Sequence, residues 1–248
     1  YYAPRPMFIN RTGQHKWLVD AKEILKNSSA VFLKIDPEET LLLSGIDGNI
    51  VIGRSVQPQK TTIVDLSLSV ESLFGCMHQK TRYNVHLAER KEVNVKILPY
   101  NERGTFEQFW TLLQETAVRD GFRTHPPSYY EALLGIRSDQ FQNELFGAFF
   151  GNELLAMAMV NFFQPSGTAT YLHGASSRSH REVMGPSLLH WKIIQEAKRR
   201  GFRQYDFWGI NEAAWPGLTR FKLGFGGWVK EYPPTIDVVH RPLLYRMY

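Results

Sequence analysis

The sequence predicts a mixed α+β fold built as two successive units. Strand-like apolar runs such as Ala30–Ile35 and Thr61–Leu66 are interleaved with segments of helical spacing. After Tyr100–Arg103, which reads as a hinge, the pattern starts again. The chain has 248 residues, 43% hydrophobic and 21% charged. That length suits one large or two small domains. The composition excludes disordered, collagen-like and low-complexity chains. No apolar run approaches the roughly 20 residues that span a bilayer.

The elements follow in order. Asp20–Asn27 has helical spacing, with Ala21, Ile24 and Leu25 on one face. Ala30–Ile35 is a buried strand stopped by Asp36-Pro37. Thr61–Leu66 is a second strand. Ser69 caps a long helix from Val70 to about Arg90, with Val70, Leu73, Phe74 and Met77 inward. Val93–Ile97 is a short strand. Beyond the hinge, Thr105 caps a helix to about Arg119, and Ser128–Leu134 is another. Leu145–Phe150 and Glu153–Phe163 form a hairpin across Gly151-Asn152. Ala169–Gly174 is a strand. Ser187–Arg200 is a helix closed by Gly201. Gln204–Trp208, Phe221–Lys230 and Thr235–Val239 are the remaining strands. From Tyr100 onward this is the element order of a GCN5-related N-acetyltransferase (GNAT) domain. The part before it reads as the rear of a second such domain.

Twenty-nine Lys and Arg against 24 Asp and Glu give a formal charge of +5. A basic chain favours polyanions such as RNA, nucleotide phosphates or an anionic membrane face, and equally fits an ordinary basic surface. The eight His show no H-x-x-x-H or H-E-x-x-H spacing, so no metal site is expected. P-loop and G-x-S-x-G motifs are absent. Cys76, the single cysteine, cannot form an internal disulfide and reads as a core thiol on an apolar helix face.

Three segments bear on chemistry. A coenzyme-A-binding GNAT domain opens its main helix with Q/R-x-x-G-x-G/A, whose backbone N–H groups hold a pyrophosphate. Here the loop is Arg181-Glu182-Val183-Met184-Gly185-Pro186, with one glycine and a proline that has no N–H. That argues against an acyl-CoA donor. In Phe221–Gly227 (FKLGFGG), strand alternation puts Phe221, Leu223 and Phe225 on one face and Lys222 on the other. A lysine so held stabilises an oxyanion; an ordinary surface lysine fits the same pattern. Tyr171 and His173 alternate on one strand and are expected to share a face, as groove residues or as a packed aromatic edge.

Several segments resemble the Fem (FemABX) family of aminoacyl-tRNA-dependent peptidyltransferases. They are Gln57-Pro58 before TTIVDLS, QKTRYNVHLAERK at Gln79–Lys91, RDGF at Arg119–Phe122 and YLHGASS at Tyr171–Ser177. GPSLLHWKIIQEAKRRGFRQYDFWGI at Gly185–Ile210 and RFKLGFGG at Arg220–Gly227 complete the set. The resemblance implies two packed GNAT-like domains: 1–99 as the C-terminal part of the first, 100–234 as the second, and 235–248 returning to the first. It also implies that the first domain here lacks its N-terminal strands.

The implied reaction moves an amino acid from aminoacyl-tRNA to the stem-peptide amine of a UDP- or lipid-linked peptidoglycan precursor. No cofactor is implied beyond aminoacyl-tRNA as co-substrate, and the setting is cytoplasmic, with peripheral contact at the inner membrane face. By position, Phe221 and Lys222 fall on the family's Phe-Lys pair near the aminoacyl group. Tyr171, His173 and Tyr129 fall on groove positions. Asn10 falls where many members carry an Asp, and it cannot take a proton. Arg82, with Lys80 and Tyr83, is expected to hold precursor phosphates or a peptide carboxylate, since a guanidinium fork fits oxyanions; a solvated helix face fits Arg82 equally. An acyl-CoA enzyme and a non-catalytic tRNA- or precursor-binding homologue are the two rivals.

Overall fold

A computed structural model describes residues 1–4, 11–38 and 49–248; Asn10 lies outside them. The first elements are β1 (Tyr2–Pro4), α1 (Arg11–Lys26), β2 (Phe32–Asp36), β3 (Asn49–Ile52) and β4 (Lys60–Asp65). Next come α2 (Val70–Cys76), α3 (Gln79–Arg90), β5 (Asn94–Leu98), α4 (Thr105–Asp120) and α5 (Pro127–Gly135). β6 (Arg137–Ser138), β7 (Phe141–Phe150), β8 (Glu153–Phe163), β9 (Thr168–Ser176) and α6 (Gly185–Arg199) follow. The last are β10 (Gln204–Asp206), α7 (Pro216–Leu223), β11 (Trp228–Glu231), β12 (Ile236–Val239) and α8 (Pro242–Tyr245).

Residues 1–61 with 230–248 form one compact unit, and 62–229 form another. The boundary expected at residue 99 therefore falls inside the second unit. The reason is β5, which pairs antiparallel with β7 from Asn94↔Phe149 to Leu98↔Leu145.

The first unit holds the sheet β1-β2-β12-β3. Leu18 and Leu25 of α1 pack with Leu33, Ile35, Ile236 and Val238. Ile24, expected on that face, points outward at 56% exposure. β3 escapes sequence reading because it is four residues long and mostly exposed.

The second unit holds the order β4-β10-β9-β8-β7-β5. Period-two alternation along β8 feeds two cores. Ala156, Ala158, Val160 and Phe162 face the core shared with α2, α3 and α6. Met157 and Met159 face the core shared with α4 and α5. Each large side chain buried in these cores contributes about 1.5–3 kcal/mol. The hairpin across Gly151-Asn152 forms as expected, with Gly151 at φ 58. Gly201, at φ 84, ends α6.

Three expectations are corrected here. The single helix over Val70–Arg90 is two, broken where Met77 and His78 take extended ψ values of 149° and 142°. His78 restarts the chain by accepting the Lys80 N–H on Nδ1 at 3.2 Å. Cys76, expected in the core, is exposed at that break. The third is Phe221–Lys230. Its first residues are the end of α7, which Pro216 starts at N1 or N2, a position that suits its fixed φ. Only Trp228 onward is strand. The F-K-L-G-F alternation fits either period over so short a run. Gly226 then turns at φ 82, where a Cβ would overlap the Cys76 carbonyl; the close approach is to the chain's own backbone.

Candidate functional site

The site gathers where β9 and β10 part. These strands run parallel, paired only from Thr168↔Gln204 to Thr170↔Asp206. β10 ends at Asp206, while β9 continues to Ser176. Lys222, on the last turn of α7, reaches the gap so opened. It is 5% exposed. Its Nζ donates to the carbonyls of Trp208 at 2.8 Å and Gly209 at 2.7 Å. It also lies 5.5 Å from the Tyr171 ring centroid, within cation–π range. Thr219, one turn earlier, is buried on the same face of α7 and accepts the Asn211 N–H at 3.0 Å, tying the helix to its preceding loop. Lys222 therefore does not point across a sheet; a helix delivers it to backbone carbonyls.

Burial pushes the Lys222 amine down to about 8, with Asp206 pulling the other way. A buried ammonium is costly without partners, and two carbonyls are modest ones. Beneath it sits His190 of α6, 3% exposed. Its Nδ1 is 2.9 Å from the Tyr205 hydroxyl. Its ring meets Tyr171 edge-on at 4.6 Å and Phe221 at 5.4 Å. Burial, then the nearby Lys222 charge, holds this imidazole down at about 3, so it is neutral. Burial raises Tyr171 to about 12. The lysine is thus the cation of a largely aromatic chamber.

Phe221, partly buried against this core, also lines a pocket of about 220 Å³ with Asn84, Ser177, Met184 and Ser187. The start of α6 forms one wall. Its backbone donors are largely consumed: Ser187 and Leu188 donate to the Met184 carbonyl, and Pro186 has none. The pyrophosphate cradle is therefore not formed there.

Tyr171 and His173 do not share a face. Met159 pairs with His173 and Val160 with Tyr171, leaving Leu172 as an extra residue on β9. That bulge reverses the alternation. Tyr171 packs with His190 and Lys222 on the α6 side. His173 meets Tyr130 at 5.0 Å and Tyr129 at 6.2 Å on the α5 side. Burial, with His125 adding to it, lowers His173 to about 4. Tyr129 is 40% exposed and packs against His125, ring centroids 4.2 Å apart and tilted by 33°. The expected groove residues thus form two clusters: Tyr171, Phe221 and Lys222 on one side, Tyr129 and His173 on the other.

The α3 residues form a third position. Lys80 and Tyr83 are exposed, with Arg90 stacked 6.0 Å from the Tyr83 ring. Arg82 Nη1 donates to the carbonyls of Gly75 and Met77, closing the end of α2. At least this nitrogen serves the fold rather than an anion. Among the described residues no group of three His, Cys, Asp or Glu is placed to hold a metal.

Sequence reasoning missed His190, Asp206 and Trp208. His190 and Asp206 are polar residues inside otherwise apolar stretches (SLLHW and QYDFW), which was the available signal.

The fold defines a class first. A tandem GNAT protein from the clavulanic acid biosynthesis pathway superposes with a TM-score of 0.52 at 13% identity, covering 94% of this chain and 71% of that one. The crystal structure of FemX superposes with a TM-score of 0.82 at 21% identity, covering 99% of this chain and 82% of that one. This is the tandem GNAT-type fold. The chain belongs to the FemAB family, whose pattern matches residues 49–146 and 137–248. Aminoacyltransferase FemB of Staphylococcus epidermidis is 30% identical over 84 residues, 32% of this chain and 20% of FemB. The alignment thus spans about a fifth of that relative.

Proposed function

We propose that this protein is an aminoacyltransferase that moves an amino acid from aminoacyl-tRNA to the stem-peptide amine of a peptidoglycan precursor. Membership of the FemAB family supports the reaction class. The observation that carries it is Lys222: a buried ammonium beside Tyr171, next to Phe221 and the pocket Phe221 lines.

The donor is an ester, already activated. Its aminolysis needs the acceptor amine placed against the carbonyl and the developing oxyanion stabilised. Lys222 has three N–H donors, two of them directed at Trp208 and Gly209. The third serves the oxyanion or the departing ribose hydroxyl. In a site with little water such a charge acts strongly. Neutral His190 and Tyr171 do not compete with it for negative charge. The acceptor amine loses its proton to substrate or water. The exposed Lys80 and Tyr83 of α3 contact precursor phosphates or a peptide carboxylate. The basic surface meets tRNA through its phosphates, giving salt-sensitive binding. A lipid-linked precursor would place the reaction at the inner membrane face, and a soluble one in the cytoplasm. No helix among the described residues is long and apolar enough to cross a membrane.

The test is incubation with charged tRNA pools and a lysine-type precursor, following precursor mass. A gain of one aminoacyl residue, lost in Lys222→Met, supports the reading. Transfer from acyl-CoA instead, or tight precursor binding with no transfer, overturns it.

A further inference from the structure

We propose that Asp206 is a positioning residue for Lys222: its carboxylate holds the left-handed turn at Trp208 that aims two successive carbonyls at the ammonium, and supplies the charge that keeps it cationic. The proposal rests on Lys222 being the working cation, as above.

Trp208 has φ 53, a conformation that L residues with bulky side chains rarely adopt. Such a residue persists only where its surroundings over-determine it. Two groups do so here. Asp206 Oδ1 accepts the Trp208 N–H at 2.7 Å, an Asx-type closure two residues on. Phe207 between them is fully buried, and its N–H donates to the Thr62 carbonyl at 3.0 Å. Asp206 itself is fixed from both sides, paired with Ile63 on β4 and Thr170 on β9. The consequence of the turn is chemical. An extended chain alternates its carbonyls between opposite sides, whereas this turn brings those of Trp208 and Gly209 onto one nitrogen.

The titratable groups facing Lys222 are Tyr171 from β9, His190 from α6 and Asp206 from β10. Tyr171 and His190 are neutral near pH 7, because burial raises the first and lowers the second. Asp206 is the one of the three that favours the cation.

The test reads Lys222 directly, without turnover. The folded protein is treated with acetic anhydride in trace amount across pH 6–10, and Lys222 acetylation is quantified by peptide mass spectrometry. Asp206→Asn keeps the turn's acceptor and removes the charge. Lys222 is then expected to react at least about threefold faster at pH 7, because more of it is free amine. Asp206→Ala removes the acceptor too, and should abolish any transfer activity while the thermal transition persists. Asp206→Ser, a shorter uncharged acceptor, replaces Asn if that variant does not fold. Unchanged Lys222 reactivity in folded Asn or Ser variants overturns the proposal. Because acetylation is scored in the absence of tRNA and precursor, failure of the aminoacyltransferase reading leaves this result standing.

Discussion

Lys222 should make the protein more stable as the solution becomes alkaline. The amine has an ordinary value of 10.5 and titrates at about 8 in the fold. Between those two pH values the unfolded chain carries a proton that the folded chain has lost. Stability rises with pH wherever the unfolded state binds more protons. At about 1.36 kcal/mol per pKa unit the full effect is about 3 kcal/mol. The neutral amine still donates to the Trp208 and Gly209 carbonyls, so the contacts survive while the burial penalty is relieved. Lys222→Met is the reference, since it cannot titrate. Taking the difference between wild type and variant cancels most other groups. Urea unfolding followed by tryptophan fluorescence, at half-unit steps from pH 7 to 10, supplies both curves. The wild-type unfolding free energy should climb by about 2–3 kcal/mol relative to the variant over that range. A flat difference, or one that falls with pH, would refute the buried cation.

Acid should act through the histidines: His190 and His173 are held at about 3 and 4, chiefly by burial, against an ordinary 6.5. The unfolded state gains protons first, so stability is lost as pH falls below 6.5, and His190→Gln should flatten that loss in pH-dependent melts. At Gly174 a Cβ would overlap the Tyr171 hydroxyl and come within 2.6 Å of Cζ. Gly174→Ala should cost about 1–3 kcal/mol, and Tyr171→Ala in the same chain should remove most of that cost in a double-mutant cycle. In the first unit, Asp237 pairs with buried Lys34 at 2.8 Å. Asp237→Ala leaves that ammonium uncompensated and should cost about 3–5 kcal/mol in urea unfolding, whereas Lys34→Met with Asp237→Leu should restore most of it.

The β7–β8 hairpin and α6 were legible because they are long and their periods are unambiguous, with buried residues repeating through Leu189, Ile193 and Ala197. The site was legible only in part. Phe221 and Lys222 stood out, but on the wrong element, since four or five alternating residues satisfy a strand and the end of a helix alike. The bulge at Leu172 was invisible: an inserted residue in a strand changes which face its neighbours occupy without changing their type. Simple alternation therefore puts Tyr171 and His173 on one surface. The break at Met77–His78 was hidden for a related reason. Neither residue is a helix breaker, and the cap that restarts α3 is a histidine side chain. Trp208 enters through its backbone geometry, which residue type does not announce, and Asp206 shows only as a polar residue in an apolar stretch.

The two buried lysines among the described residues show why Lys222 is the one to suspect of chemistry. Lys34 and Lys222 are each 5% exposed. Lys34 directs its nitrogen at both Asp237 oxygens, at 2.8 and 3.1 Å, and at the Arg54 carbonyl at 3.1 Å. Its three donors are matched and its charge is cancelled on contact. Lys222 has two neutral carbonyls and an aromatic face. Asp206 favours its charge but bonds the Trp208 N–H, and the ammonium's two hydrogen bonds go to Trp208 and Gly209. A lysine needed only to hold strands together is better served by the first arrangement, because an uncancelled buried charge costs stability. The second arrangement fixes the ammonium through neutral carbonyls, with Asp206 favouring its charge. That is the condition for a preorganised group that meets negative charge only when a reaction develops it.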